Sequence, residues 1–225
     1  HRVDRRQRQM CIRDRGGRGW LDGARLLALP WPALIGGTLG LTLLAATLAV
    51  GLPPLQLLVA APWPLAQRLV RLSWALARLW PPPLTALLLL LLLQPGMVTA
   101  ALALGLHNAG ILGRLLAEAL ADGSTAVEQA LASGGVGSRL ALLYGRYPAI
   151  ARPYLAYGAY RADVLLRETV VVGLVGATGL GSQLLESLSS FAWDQLLALV
   201  AVYALLTLLG EEPVSYTHLT LPTIY

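Results

Sequence analysis

The chain holds few residues of the kinds that do chemistry, and their spacing limits what that chemistry can be. Away from the two ends, His107 is the one histidine, and it stands beside Asn108 in the middle of an apolar stretch. An ionisable group in such a place marks either a solute path or a hydrogen bond between helices, and the pair fits both. Arg161, Asp163, Arg167 and Glu168 form a second group at the head of another apolar run. Asp163 and Arg167 lie four residues apart and Arg161 and Glu168 seven, so each pair falls on nearly one helix face and can neutralise itself. The sharper reading gives Arg161 or Arg167 a part in a gate or anion path. Thr125-x-x-Glu128 has the spacing of a capping box, in which the Thr hydroxyl and the Glu carboxylate accept from each other's backbone N–H. The helix so begun carries Ala126, Ala130 and Ala132 and ends at Gly134-Gly135, and its low surface would admit a close-fitting partner.

Other chemistries lack their parts. Gly173, Gly176, Gly179 and Gly181 invite a nucleotide-binding reading. However, Gly176-x-x-Gly179-x-Gly181 reverses the dinucleotide spacing, and no Lys-Ser/Thr follows as a phosphate loop requires. In a membrane helix such glycines serve close contact or a broken helix end. No cluster of His, Asp and Glu shares one depth, so no catalytic residue, metal site or cofactor is expected.

Val3–Arg15 and Pro213–Tyr225 differ in composition from everything between them. One set of codons for Val3–Arg15, read as its reverse complement, encodes Pro213–Tyr225 residue for residue, with Val3 matching Tyr225 and Arg15 matching Pro213. Such an inverted duplication looks like adapter sequence translated on both strands of a truncated frame. Residues 1–15 and 213–225 are therefore expected to be non-native, and 16–212 to form one transmembrane domain. Setting the ends aside removes Cys11, six of the 17 basic residues and two of the 12 acids, leaving 11 and 10. The basic balance disappears, and with it the case for a nucleic-acid partner. Without a cysteine there is no disulfide or thiolate metal site. The remaining interior, leucine-rich and free of lysine, belongs to the membrane class.

Gly16–Pro32 sets Arg18, Asp22 and Arg25 beside Trp20 and Trp31, which suits the edge of a bilayer. Ala33–Leu52 is uncharged and long enough to span, with Pro53-Pro54 expected to end it. Leu55–Leu79 is interrupted by Pro62 and Pro64 and gathers Arg68, Arg71 and Arg78 within about 80° of one another, beside a face of leucines. It reads as a Pro-broken helix that emerges into, or lies along, an interface. Leu84–Leu93 is apolar but short. Met97–Leu120, Tyr154–Gly176 and Trp193–Leu209 are further spans, giving an all-α polytopic bundle of about 4–6 crossings. Arg139, Arg146 and Arg152 place the loop at about 121–153 in the cytoplasm. With Arg18 and Arg25 also inside, an even number of crossings should precede that loop.

The loop and its flanks carry a resemblance. Glu128, Ala130 and Gly134 stand in the register of the Glu-Ala-Ala…Gly…Leu-Pro loop of ABC-importer permeases. Gln129 replaces an Ala there, Tyr147 stands where Leu would be, and Pro148 comes one residue late. Tyr160-Arg161, Arg167, Thr169-Val170, Gly173-Leu-Val-Gly-Ala177 and Gly179-x-Gly181 are similar to the helix after that loop in phosphonate-type permeases. Leu106-His-Asn-Ala-Gly110, Gly113 and Glu118-Ala119 are similar to the helix before it. Over about 100–210 the chain thus resembles the inner-membrane permease subunit of a binding-protein-dependent ABC importer of the phosphonate/phosphate type. The resemblance implies a non-enzymatic transport subunit that moves phosphonate, phosphate or phosphite into the cytoplasm. It also implies a cytosolic ATPase bound at the loop (Thr125, Glu128, Ala130, Gly134, Pro148), a periplasmic solute-binding protein, and a second permease copy or paralogue in the bilayer. An importer for another small solute such as methionine, or a non-transporting membrane scaffold, are the alternatives.

Overall fold

The computed structural model describes residues 26–173, 176 and 179–219, with side chains to 210. The stretches 1–15 and 220–225, and Arg18 and Arg25, lie outside the described residues. Among the described residues all regular structure is helical. In chain order it comprises α1 (Trp31–Ala60), α2 (Pro64–Leu79), α3 (Pro82–Leu89), α4 (Met97–Asp122), α5 (Ala126–Ser133) and α6 (Ser138–Ala141). A π-helical turn (Leu142–Arg146), α7 (Tyr147–Val172), α8 (Leu180–Ser189) and α9 (Trp193–Leu219) follow.

Contacts fix the order of the bundle. Gly40 meets Met97 and Gly105 meets Leu48, so α1 and α4 run side by side in the same direction. Gly158 of α7 meets Val50, and Tyr147 and Tyr154 reach Pro54 and Val50, so α7 runs back against α1. Tyr203 of α9 bonds to Leu166 of α7, and α8 starts against Thr38 of α1. One end of the bundle therefore carries residues 123–146; the other carries the starts of α1 and α4 together with α8.

Trp31–Ala60, Met97–Asp122 and Trp193–Gly210 are long and apolar enough to cross a membrane. The 26 residues of α7 also have the length, but Arg161, Asp163, Arg167 and Glu168 deprive it of the composition, so the expected span at 154–176 survives only as a helix whose charges are paired internally.

Three expectations change. Pro53-Pro54 does not end the first span; α1 continues through both prolines to Ala60. A proline removes the N–H that would serve the carbonyl four residues back, and for Pro54 that carbonyl is Val50's. The Tyr154 hydroxyl donates to the Val50 carbonyl at 2.8 Å, so α7 supplies a donor where α1 lacks one, and the Tyr147 hydroxyl adds a bond to the Pro54 carbonyl at 2.6 Å.

Nor does the 55–79 segment lie apart. The helix α2 packs along α4 with Trp74 as its one buried residue, held where Gly113 and Gly110 leave room for the indole and for Arg78. Trp74 Nε1 also donates to Gln56 Oε1 of α1 at 2.6 Å. Together α2 and α3 carry the chain from the end bearing residues 123–146 back to the start of α4, making one crossing in two pieces, neither long enough alone.

Among the described residues three traverses, an odd number, precede the 123–146 segment. The start of α1 lies at the opposite end of the bundle from that segment. The even count rested on Arg18 and Arg25, outside the described residues, and on the segments 55–79 and 84–93 either both crossing, for four, or neither crossing, for two; here they form one traverse together.

Candidate functional site

The segment between α4 and α7 is a compact hairpin. Gly123 leaves α4, and α5 follows with none of its residues buried. The capping box is not formed: the Thr125 hydroxyl makes no capping bond, and the Ala126 N–H instead donates to Ser124 Oγ at 3.3 Å. Glu128 is drawn away by a charged partner. Arg146 Nη1 donates to Glu128 Oε2 at 2.9 Å, with the Arg146 side chain 12% and the Glu128 side chain 31% exposed. A charge-assisted bond of this kind outweighs a bond to a solvated backbone N–H. Gly145 completes the fit, since a Cβ there would stand 2.9 Å from the Glu128 backbone. Gly134 closes α5 by donating to the Ala130 carbonyl at 3.2 Å, and it is Gly135, at φ +83°, that takes the left-handed conformation. Ala130 and Val127 remain exposed on the outer face.

Arg139 clips the hairpin to the bundle. Its Nη2 donates to the Val59 carbonyl at 3.3 Å and its guanidinium lies 5.5 Å from the centre of the Trp63 ring, the turn between α1 and α2. The hairpin ends earlier than the expected 121–153, because Pro148 sits, exposed, in the first turn of α7, where a proline costs no hydrogen bond.

At mid-depth a second group forms. Asn108, fully buried, donates from Nδ2 to the Leu104 carbonyl and to Glu168 Oε2, each at 2.9 Å. Arg161 Nε donates to Asn108 Oδ1 at 2.9 Å, its Nη2 reaches the same oxygen, and Arg161 stands 3.6 Å from Glu168. Arg167 pairs with Asp163 at 2.8 Å. Both sequence-expected pairs are present; what the spacing did not show is that Asn108 of α4 joins the Arg161–Glu168 pair of α7. His107 parts from its neighbour: its Nδ1 lies 2.9 Å from the Trp80 carbonyl, in the link between α2 and α3.

The glycines act at the far end. A Cβ on Gly173 would stand 2.5 Å from the Gly181 carbonyl carbon, and one on Gly181 2.9 Å from the Thr169 carbonyl oxygen, so the end of α7 and the start of α8 touch backbone to backbone. Gly176 turns the chain at φ +74°. Past Gly179, the Leu180 N–H donates to Thr38 Oγ1 at 2.9 Å, so a side chain of α1 satisfies the start of α8.

No family model matches the chain. It is 33% identical over 101 residues to the putative cryptic phosphonate transport system permease protein of Escherichia coli (strain K12), covering 83% of that protein and 45% of this chain. The chain belongs to the phosphonate-type ABC permease family. Within that family it is 34% identical over 181 residues to the phosphate-import permease protein of Mycolicibacterium smegmatis, covering 80% of this chain and 34% of that one. It is 36% identical over 138 residues to a putative phosphite transport system permease protein of Stutzerimonas stutzeri, covering 61% and 53%. The chain thus spans about a third to a half of the length of these two relatives. Two solved structures share the ABC permease fold. An amino acid ABC transporter with histidines has TM-score 0.66 at 19% identity, covering 84% of this chain and 92% of that one. The inward-facing MetNI methionine ABC transporter has TM-score 0.60 at 18% identity, covering 82% and 94%. As a phosphonate-type permease the chain is a multi-pass membrane protein. The hydrogen bonds that tie its hairpin and its mid-depth network escape a reading by motif, since Arg146 and Arg139 look from sequence only like positive charges of a loop.

Proposed function

We propose that the chain is a transmembrane permease subunit of a binding-protein-dependent ABC importer of the inner membrane, moving phosphonate or a related oxyanion (phosphate, phosphite) into the cytoplasm. A separate cytosolic ATPase hydrolyses ATP, a periplasmic binding protein delivers the solute, and a second permease copy or paralogue completes the pathway. Residues 16–212 form the transmembrane domain, and 1–15 and 213–225 are adapter-like.

The observation that carries the reading is the hairpin at 123–146. Its outer face offers Val127, Ala130 and Gly134, small enough for a partner to approach closely, while Glu128 faces inward to hold α5 on Arg146. Thr125 and Pro148 border that surface. A displacement imposed on α5 passes through Arg146 into α7, and through Arg139 into the turn between α1 and α2. Two helices that pack against each other, α7 and α1, are thereby driven from one surface element, which is what alternating access requires of a coupling element. Arg161, Arg167, Asn108 and His107 are the candidates for a gate or solute path, with Arg161 and Arg167 held by Glu168 and Asp163. The glycines 173, 176, 179 and 181 let α8 fold back against α7 at the delivery end.

The test is capture of the ATPase subunit encoded beside the chain by the detergent-solubilised protein. Ala130→Arg, on an exposed face, should abolish capture without changing the melting temperature, and Glu128→Ala/Gly134→Arg should do the same with some loss of stability. Undiminished capture by both variants would remove the coupling role and leave a membrane scaffold.

A further inference from the structure

Beneath α5, the ends of α1, α2 and α4 and the segment from α6 to the π-helical turn border a half-open cavity of about 240 Å³, with Arg71 and Ser138 exposed at its rim. Arg71 and Gln67 of α2, Glu128 of α5, Ser138 of α6 and Arg146 of the turn line it. Arg146 is neutralised by Glu128. Arg71 has no acidic partner among the described residues, α2 itself contains no acid, and the Ser138 hydroxyl is likewise without a hydrogen-bond partner among them. The concavity therefore holds one uncompensated positive charge, a hydroxyl donor and a second guanidinium. Its volume is below the roughly 300–1,000 Å³ of pockets for drug-sized ligands and suits a small ion with a few waters at about 30 Å³ each. Guanidinium groups recognise tetrahedral oxyanions by paired N–H donors.

We propose that this cavity binds a small tetrahedral oxyanion of the phosphate or phosphonate class between Arg71 and Arg146, and that the bound anion competes with Glu128 for Arg146. Glu128 is the tether of α5, so occupancy loosens the hairpin from α7. This rests on the transport reading only for the source of the anion: at the cytoplasmic end it is the released solute, and its accumulation weakens the element through which import is driven. An anionic lipid headgroup offers the same chemistry from another source.

The probe is methylphosphonate, followed by phosphorus NMR line broadening on the full chain in phosphatidylcholine nanodiscs. Saturable broadening, reversed by inorganic phosphate, is expected. Arg71→Gln should weaken binding by about tenfold or more, and Arg152→Gln, exposed and outside the cavity, should leave it unchanged. Glu128→Gln should tighten binding several-fold by releasing Arg146, a gain that misfolding cannot produce. Absence of broadening, or weaker binding by Glu128→Gln, overturns the proposal. If phosphatidylglycerol discs abolish methylphosphonate binding by the wild type, the headgroup is the occupant and the released-solute role fails. Failure of the anion to bind while ATPase capture persists sinks this site alone; loss of capture sinks the transport reading and leaves the binding result standing.

Discussion

Replacing Asn108 by Leu tests whether the mid-depth network holds α4 to α7. Leucine keeps the branching of asparagine and opens no cavity, but its methyl groups are bulkier than the amide and add crowding at this buried site, a contribution that the double-mutant cycle below cancels. The variant removes the bond to Glu168 at 2.9 Å and the acceptor that Arg161 shares between two nitrogens. Hydrogen bonds to charged groups contribute about 1.5–3 kcal/mol each in soluble proteins, whereas those between membrane helices average about 0.6 and reach about 1.7 kcal/mol. The membrane figures govern here, because Arg161 and Glu168 are left 3.6 Å apart and retain part of each other's compensation. The two lost contacts then sum to about 1–3 kcal/mol. Reversible unfolding in mixed micelles of mild detergent and dodecyl sulfate measures the loss, and a double-mutant cycle with Glu168→Gln isolates the coupling, expected at about 0.5–1.5 kcal/mol. A loss below about 0.5 kcal/mol, or additive effects in the cycle, would refute the argument that these three residues act as one unit.

Two further expectations concern backbone. Gly173→Ala places a methyl 2.5 Å from the Gly181 carbonyl carbon, a backbone atom that cannot swing aside, and should cost about 1–3 kcal/mol in the same unfolding assay. Tyr154→Phe deprives the Val50 carbonyl of the donor that stands in for the missing N–H of Pro54. It should cost about 1–2 kcal/mol, with a smaller loss if Pro54 is first replaced by Ala.

The helical class was legible because apolar length is a property of composition, and α4 appears where the uncharged run from Met97 predicts it. The i to i+4 pair of Asp163 with Arg167 was legible for the same reason, since helix geometry fixes it locally. Glu128 was misjudged because a capping box is read from four neighbouring residues, while its partner, Arg146, comes from the far side of the hairpin. The two prolines of α1 misled in the same way: their rule describes an isolated helix, and the donor that the Val50 carbonyl needs comes from Tyr154 of α7. Trp74 gave no sign that it would fill the space left by Gly113, because small-to-large fits between helices leave no periodic trace in either one.

The tyrosine donors also bear on how the chain is made. As α1 enters the bilayer it carries at Val50 a carbonyl with no partner of its own, a polar group that hydrocarbon tolerates poorly. The residue that quiets it, Tyr154, is synthesised about a hundred residues later, after the intervening crossings and the hairpin. Until α7 arrives, the first helix is expected to stay bent at its prolines or to keep a water or chaperone against Val50. The unbroken course of α1 through Pro53 and Pro54 is then a late event in biogenesis, and truncation before Tyr154 should leave a first span that inserts yet remains open to proteolysis at that point.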